Sequence, residues 1–518
     1  MRPRLGRGPV TVRAKDGHDE GASTRGDVLT GRLAAGTLGL FALAALVDLD
    51  ATRASMNAAF AWTTATFGLF WQLLAVATLV VALGLALSPA GRLRLGGRDM
   101  PEMPYGRWLA VILCTLLAGG GVFWSAAEPL VHFQTPPPVF RGVAAHSAAA
   151  VGPALAQSYL HWGFLAWGLV GTLGALVLLI RQEDGAALLP RTLLGGRLRG
   201  PAGSAVDAVS ILAALAGTIG PIGFLGLQLA YAAKVLLGAP DGYGTQVAVL
   251  GALVALATAS AVSGIDRGIQ WLSRLNVALA LGLTVALLAL GRPGFVARAL
   301  SAGATTYLVE LPRLALFRDD PGWLDYWTVF YWGWFLSYGP LMSIFVARIS
   351  RGRSVREIVL AVAVVAPLLT NLWFTVLGGT GIGLELEAPG SVSGALESDG
   401  LPAALLAIVG QLPAASLLTP AFVVLIFVFL ATSADSMAYS ASIIVSGSAT
   451  PPRRQRAFWS VAMGVVAAAL LATGEDGVKA LQSFIVVAAA PVGLLMATCL
   501  WSAPRLVWAR YRRACTAA

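Results

Sequence analysis

Twelve mostly apolar stretches follow one another along this chain, near 33–48, 66–88, 107–126, 155–180, 205–237, 245–263, 273–290, 323–348, 357–380, 403–433, 457–473 and 480–502. An α-helix needs about 20 such residues to cross the hydrocarbon core of a bilayer. Residues 436–447 read as the continuation of the tenth run. The expected fold is therefore an all-α integral membrane protein of twelve transmembrane helices. Charge content agrees. Only 12% of the 518 residues are Asp, Glu, Lys or Arg, about half of what a soluble domain carries. So few charges cannot coat a water-facing surface. That excludes an ordinary cytosolic enzyme, a nucleic-acid-binding protein and a disordered chain, and leaves lipid as the partner of the apolar surface.

The arginines test the count. With the N-terminus in the cytoplasm, the inner loops hold Arg92, Arg94, Arg98 and Arg107, then Arg181, Arg191, Arg197 and Arg199, then Arg267 and Arg274, then Arg348, Arg351, Arg353 and Arg356, then Arg453, Arg454 and Arg456. Outer loops are poor in basic residues, and 381–402 carries Glu385, Glu387, Glu397 and Asp399 instead. A miscounted helix would scramble this alternation, so the positive-inside rule supports twelve spans with both termini cytoplasmic. The net charge of +10 is spread over these loops and forms no nucleic-acid-binding face. Residues 291–322 break the rule with Arg292, Arg298, Arg313 and Arg318 on the outer side. They read as either an amphipathic helix on the membrane surface or a plain loop. Residues 1–30 form a polar tail without an apolar signal core, so the first run is retained. Residues 503–518 form a short basic tail. Lysine is limited to Lys15, Lys234 and Lys479, and with abundant Ala, Gly and Leu this points to a bacterial plasma membrane.

Catalytic signatures are missing from the sequence. None of the three lysines follows glycine, so there is no phosphate-binding loop. His18, His132, His146 and His161 form no HExxH and no tight cluster in sequence, which disfavours a zinc enzyme. Cys114, Cys499 and Cys515 have no disulfide or metal spacing. The chain reads as a non-enzyme without cofactors.

The informative features are irregularities inside the spans. The third carries Ala118, Gly119, Gly120 and Gly121, and the eighth carries Ser337, Tyr338, Gly339 and Pro340. Irregular backbone at membrane depth is tolerated where it is buried or lines a cavity. Paired interruptions in corresponding segments point to a transporter site between inverted repeats; close helix packing through small residues is the alternative. The eighth span is dense in rings, and Trp334, Phe335 and Tyr338 share a helical face. Trp162 and Trp167 lie five apart in the fourth. Interfacial belts explain many membrane aromatics, but this cluster runs toward the middle of its span. Rings lining a dry cavity bind a quaternary ammonium, each contact worth roughly 2 kcal/mol when desolvated. In the tenth span, Thr432 and Ser433 either offer hard oxygen ligands to a small cation or bond back to their own helix. Asp435 beside them is an ionisable group at membrane depth.

These residues resemble a known family. Tyr326-Trp327-Thr328-Val329-Phe330-Tyr331-Trp332-Gly333-Trp334-Phe335, followed by Ala347-Arg348-Ile349-Ser350-Arg351-Gly352-Arg353, is similar to the signature of betaine–choline–carnitine transporters. So are Phe123-Trp124-Ser125-Ala126-Ala127-Glu128-Pro129-Leu130, His161-Trp162-Gly163 with Trp167, and Thr432-Ser433-Ala434-Asp435-Ser436. The resemblance implies a five-plus-five inverted repeat, about 107–290 and 323–502, after two extra N-terminal helices. It implies a secondary transporter, commonly a homotrimer. Substrate would lie among Trp334, Phe335, Tyr338, Trp162, Trp167, Ala118, Gly119 and Gly120. Sodium would be held by Thr432, Ser433 and Phe429 against the backbone near Cys114 and Leu117. Some positions depart from the family. Leu116, Leu117 and Ala118 occupy a stretch that betaine carriers fill with Gly-Met-Gly. Phe335 and Tyr338 stand where Trp is usual, and Val170 where Tyr is common, so the cage is thinner. No Arg or Lys falls in 277–290 to replace an ion, so sodium coupling is expected. The short C-terminal tail implies uptake without strong osmotic activation. A sodium-independent exchanger or a carrier of another solute is the alternative on the same fold, and a channel or membrane sensor is the alternative outside it.

Overall fold

The structure, a computed structural model, describes residues 27–517 apart from 99, 117–119, 196–197, 264–265, 449 and 474–476. The described residues are helical almost throughout, and the only strand-like pairing among them is an isolated antiparallel bridge between Arg94 and Ser354. The first half comprises α1 (Val28–Val47), α2 (Leu49–Leu87), α3 (Tyr105–Leu116), α4 (Gly120–Gln134), α5 (Val151–Trp162), α6 (Phe164–Leu169), α7 (Thr172–Glu183), α8 (Gly200–Leu237), α9 (Tyr243–Ser263) and α10 (Asp266–Leu290). The second comprises α11 (Pro293–Ala315), α12 (Pro321–Ile349), α13 (Val355–Glu387), α14 (Ser393–Asp399), α15 (Ala404–Gly410), α16 (Ala415–Ser446), α17 (Arg453–Leu471) and α18 (Gly477–Ala517).

Nine helical segments among the described residues are long and apolar enough to cross a membrane, or ten with the bent pair α10–α11. The chain is a multi-pass membrane protein. Two expected runs fall outside that measure. The run at 107–126 contains the undescribed residues 117–119, and the run at 457–473 belongs to α17, which opens on Arg453, Arg454 and Arg456. Burial sorts the helices. The apolar windows of α5–α7, α8 and α12 are 94%, 89% and 83% buried, against 22% for α1 and 17% for α9. The first set forms the inside of the bundle. The exposed Leu40, Leu43, Leu46 and Val47 of α1 are the kind of surface that needs lipid.

Of the two readings given for 291–322 the helical one holds over 293–315, and three other expectations change in detail. Residues 293–315 form helix α11 rather than a plain loop, bent by 107° from the segment Arg274–Leu290. Val296, Ala299, Gly303, Tyr307 and Leu314 are buried on one face, and Gly303 packs against Leu155 and Tyr159 of α5. The fourth run is three short helices, because Gly163 ends α5 and Gly171 adopts φ +90° before α7. Only glycine takes that conformation without strain, and a side chain there would also strike Ser343 of α12. The run at 403–433 splits at Gln411–Ala414, with Ala414 left-handed at φ 63°. The C-terminal residues 503–517 continue α18 as helix rather than forming a separate tail. Arg510 there pairs with Glu183 at 2.8 Å and Asp184 at 3.0 Å.

The start of α1 is also tied down. Asp27 caps α1 by accepting from Thr30 N–H at 3.0 Å, and it pairs with Arg191. Burial works to raise its pKa, but the Arg191 guanidinium and the hydrogen bonds from Thr30 and Ser204 outweigh it and hold the carboxyl down at about 2.

Candidate functional site

Helix α12 places the aromatic box. Its segment Asp325–Val329 is a π-helical turn, one residue wider than α-helix, and regular helix resumes at Phe330. Such turns are rare and frequent at functional sites. Beyond it, Trp334 and Tyr338 are one turn apart, and both side chains reach the same atom. Trp334 Nε1 donates to the Gly217 carbonyl of α8 at 2.9 Å, and Tyr338 Oη donates to it at 2.6 Å. A Cβ on Gly217 would stand 2.4 Å from Ser337 Oγ, so α8 and α12 approach this closely only through glycine. Residue spacing does not reveal Gly217, although Gly217-Thr218-Ile219-Gly220-Pro221 is the same kind of irregularity that marks the third and eighth spans.

The glycine run and the aromatic box meet. A Cβ on Gly120 would lie 2.2 Å from Trp334 Cη2 and 2.5 Å from Cζ2. The indole therefore rests on bare backbone at the start of α4. Ala118, Gly119 and Leu117 lie outside the described residues, as does the Cys114 side chain, so Gly120 alone represents that stretch here.

Trp162, at the end of α5, completes the cluster. Its ring meets Trp334 and Phe335 edge-on, with centroids 5.5 Å away in both cases, and tilts against Phe374 of α13 at 5.0 Å. Phe330 and Phe224 close on Trp334 at 5.4 and 5.8 Å. Trp162, Trp334 and Phe335 are all at least nine-tenths buried. Trp167 is not brought to them. It sits on α6, beyond the break at Gly163, is fully buried, and its indole N–H has no partner among the described residues. Val170 is buried at the end of the same short helix.

A buried carboxylate holds this arrangement. Glu128 of α4 accepts from Trp162 Nε1 at 2.8 Å and from Tyr331 Oη at 2.7 Å through Oε2, and its Oε1 lies 2.6 Å from His161 Nδ1. His161 Nε2 lies 2.9 Å from the Gln157 amide and 3.0 Å from Thr328 Oγ1. His132, one turn beyond Glu128, approaches the same carboxylate at 3.5 Å. The scattered histidines of the sequence thus do include a tight pair. His132 and His161 are 29 residues apart on different helices, and only the packing of α4 on α5 joins them. The one signal the sequence offered was Glu128 itself, a carboxylate at membrane depth.

In α16, Thr432 Oγ1 bonds back to the carbonyls of Val428 at 2.9 Å and Phe429 at 3.0 Å. That hydroxyl spends its proton on its own helix and keeps its lone pairs. Ser433 beside it is partly buried, and Phe429 is buried. The facing wall, expected near Cys114 and Leu117, is not described. Asp435 has a structural partner: Arg456 of α17 at 2.9 Å, with Ser260 of α9 at 3.5 Å.

Comparison with known proteins marks the chain as a transporter rather than an enzyme. The chain is a member of the betaine/carnitine/choline transporter family, whose family model (BCCT) matches residues 31–512. It is 45% identical over 473 residues to glycine betaine transporter 2 of Vibrio parahaemolyticus, covering 90% of this chain and 87% of that one. Glycine betaine transporter 1 of the same organism is 33% identical, covering 90% and 91%. The ectoine/hydroxyectoine transporter of Virgibacillus pantothenticus is 29% identical, covering 86% and 90%.

Proposed function

We propose that this protein takes up a quaternary-ammonium compatible solute, of the glycine betaine kind, by sodium-coupled alternating access. The observation that carries the reading is the meeting of Trp162, Trp334 and Phe335 on the bare backbone of Gly120. A quaternary ammonium has no N–H to satisfy, so ring faces suffice for it. In the described conformation Trp162 and Trp334 occupy one another edge-to-face at 5.5 Å. A cation over the covered face requires one of them to swing aside. Two relatives named for glycine betaine match about nine-tenths of this chain.

The transport cycle rests on twelve spans in a five-plus-five inverted repeat, with both termini cytoplasmic in a bacterial plasma membrane and three copies per assembly. Thr432, Ser433 and Phe429 supply one wall of the sodium site, where the free lone pairs of the Thr432 hydroxyl face the ion. One charge crossing 100 mV contributes about 2.3 kcal/mol, which drives accumulation of the solute.

Radiolabelled glycine betaine uptake into proteoliposomes, with and without an inward sodium gradient, tests the coupling. Equal uptake in both removes it. Trp334→Ala abolishes binding on this reading, and an unchanged affinity in that variant refutes the cage. A second reading, uptake of another compatible solute or exchange without sodium, is favoured by Leu116 and Ala118 in the glycine stretch and by the ectoine-named relative. Counterflow against choline, carnitine and ectoine without sodium separates the two.

A further inference from the structure

Three side chains with metal-ligand chemistry converge where α4, α5 and the first turns of α12 meet. Glu128, His132 and His161 each offer one ligand atom, and these atoms all lie within 4.8 Å of one another. Each of the three is completely buried. Glu128 Oε1 is the shared corner, 2.6 Å from His161 Nδ1 and 3.5 Å from His132 Nε2. The hydrogen bonds described above account for the rest of Glu128 and His161. His132 is different: neither of its ring nitrogens has a hydrogen-bond partner among the described residues. A fully buried imidazole whose Nδ1 has no partner among the described residues and whose Nε2 stands 3.5 Å from a carboxylate is a polar group open to a ligand.

We propose that Glu128, His132 and His161 form a binding site for one divalent first-row transition-metal ion of the zinc kind. Two imidazoles and a carboxylate are the donor set such ions select over sodium, calcium or magnesium. The geometry is close to what the ion needs. Metal–ligand bonds of about 2.0–2.1 Å put tetrahedral ligands about 3.3 Å apart. The Glu128–His132 distance already lies near that value. The shorter Glu128–His161 distance is a proton-bridged contact. It opens when the single proton of the neutral His161 ring sits on Nε2, where Thr328 Oγ1 accepts it, leaving the Nδ1 lone pair for the ion, so that carboxylate and imidazole bind the ion side by side. His161 is held for this role through its second nitrogen by Gln157 and Thr328, the outer support that metal-binding histidines usually have. Glu128 and His132 are four apart on α4 and share its face. The rings of Trp327 and Tyr331, each 4.5 Å from a histidine ring, wall the site from water. An ion here shares Glu128 with Trp162, so it sits beside the substrate cage without belonging to it.

Direct metal binding tests this. The full-length protein, purified in detergent without a polyhistidine tag, is stripped with chelator and dialysed against micromolar Zn2+. Metal content is then read by atomic emission. The expected result is one more zinc per chain in the wild type than in His132→Ala. His132→Gln gives the same loss and serves if the alanine variant does not melt cooperatively. Equal zinc content in wild type and both variants, or no zinc in the wild type, overturns the site.

Discussion

Gly120→Ala puts one methyl group where Trp334 rests. The added carbon would stand 2.2 Å from Cη2 and 2.5 Å from Cζ2, whereas carbon atoms settle at about 3.5–4.0 Å. The indole must therefore retreat by more than about 1 Å. Its Nε1–H is held at 2.9 Å by Gly217, and such a retreat takes it out of hydrogen-bond range. A stranded buried donor costs about 1–3 kcal/mol, and overpacking by a methyl group costs a similar amount. Part of that strain is relieved by the movement itself. About 2–3 kcal/mol should remain against the bound geometry, or roughly 30- to 150-fold in apparent affinity. Binding of radiolabelled glycine betaine to the purified protein, alongside uptake, gives the measurement. Gly251→Ala is the control, since a Cβ there meets nothing within 4 Å. Adding Trp334→Phe to Gly120→Ala relieves the collision, so the combined loss should be smaller than the sum of the single losses. An affinity for Gly120→Ala within threefold of wild type refutes the contact on which the site is built.

Three further outcomes follow from the geometry. Glu128→Gln keeps the size of the side chain but offers one acceptor where Trp162, Tyr331 and His161 converge. Each hydrogen bond to the charge contributes about 1.5–3 kcal/mol, so uptake should fall at least about tenfold, and unchanged uptake kinetics would contradict the anchoring of Trp162. Asp435 and Arg456 are paired at 2.9 Å with side chains only 5% and 13% exposed. Arg456→Met alone should cost about 3–5 kcal/mol of stability in detergent melts, and replacing both partners by apolar residues should cost less. The third concerns pH. The Asp27 carboxyl is held at about 2, below its ordinary 3.8, so its contribution is present above pH 3.8 and is lost as pH falls toward 2. Asp27→Asn should lower the stability, read in detergent melts, by a constant margin of about 1 kcal/mol at this partly exposed site, from pH 7 to about 4. The margin should narrow at pH 3, and a margin that grows there would reverse the assignment.

Nine of the spans, or ten with the bent pair, were legible because composition alone marks them, one helix at a time. The eighth-helix box was legible for a related reason: Trp334, Phe335 and Tyr338 are three and four apart on one helix, so spacing is enough. Trp167 was not, because Gly163 and Gly171 redirect the chain and a five-residue interval no longer means one face. The carboxylate cluster was hidden more deeply. Glu128 and His161 stood in recognisable motifs, yet nothing local says that their side chains meet, and His132 looked like one of four scattered histidines. The split at 411–414 was obscured by apolar residues on both sides of a turn. Thr432 remained ambiguous for a physical reason: a back-bonded hydroxyl and an ion ligand differ only in what the lone pairs do.

The wide turn at Asp325–Val329 divides α12 into two sections whose rotation is independently set. Trp327 belongs to the first, against His132 and His161, while Trp334 and Phe335 belong to the second, against Trp162. The extra residue thus sets the angle between the two ring sets on one continuous helix, so that one set faces the histidines while the other faces Trp162.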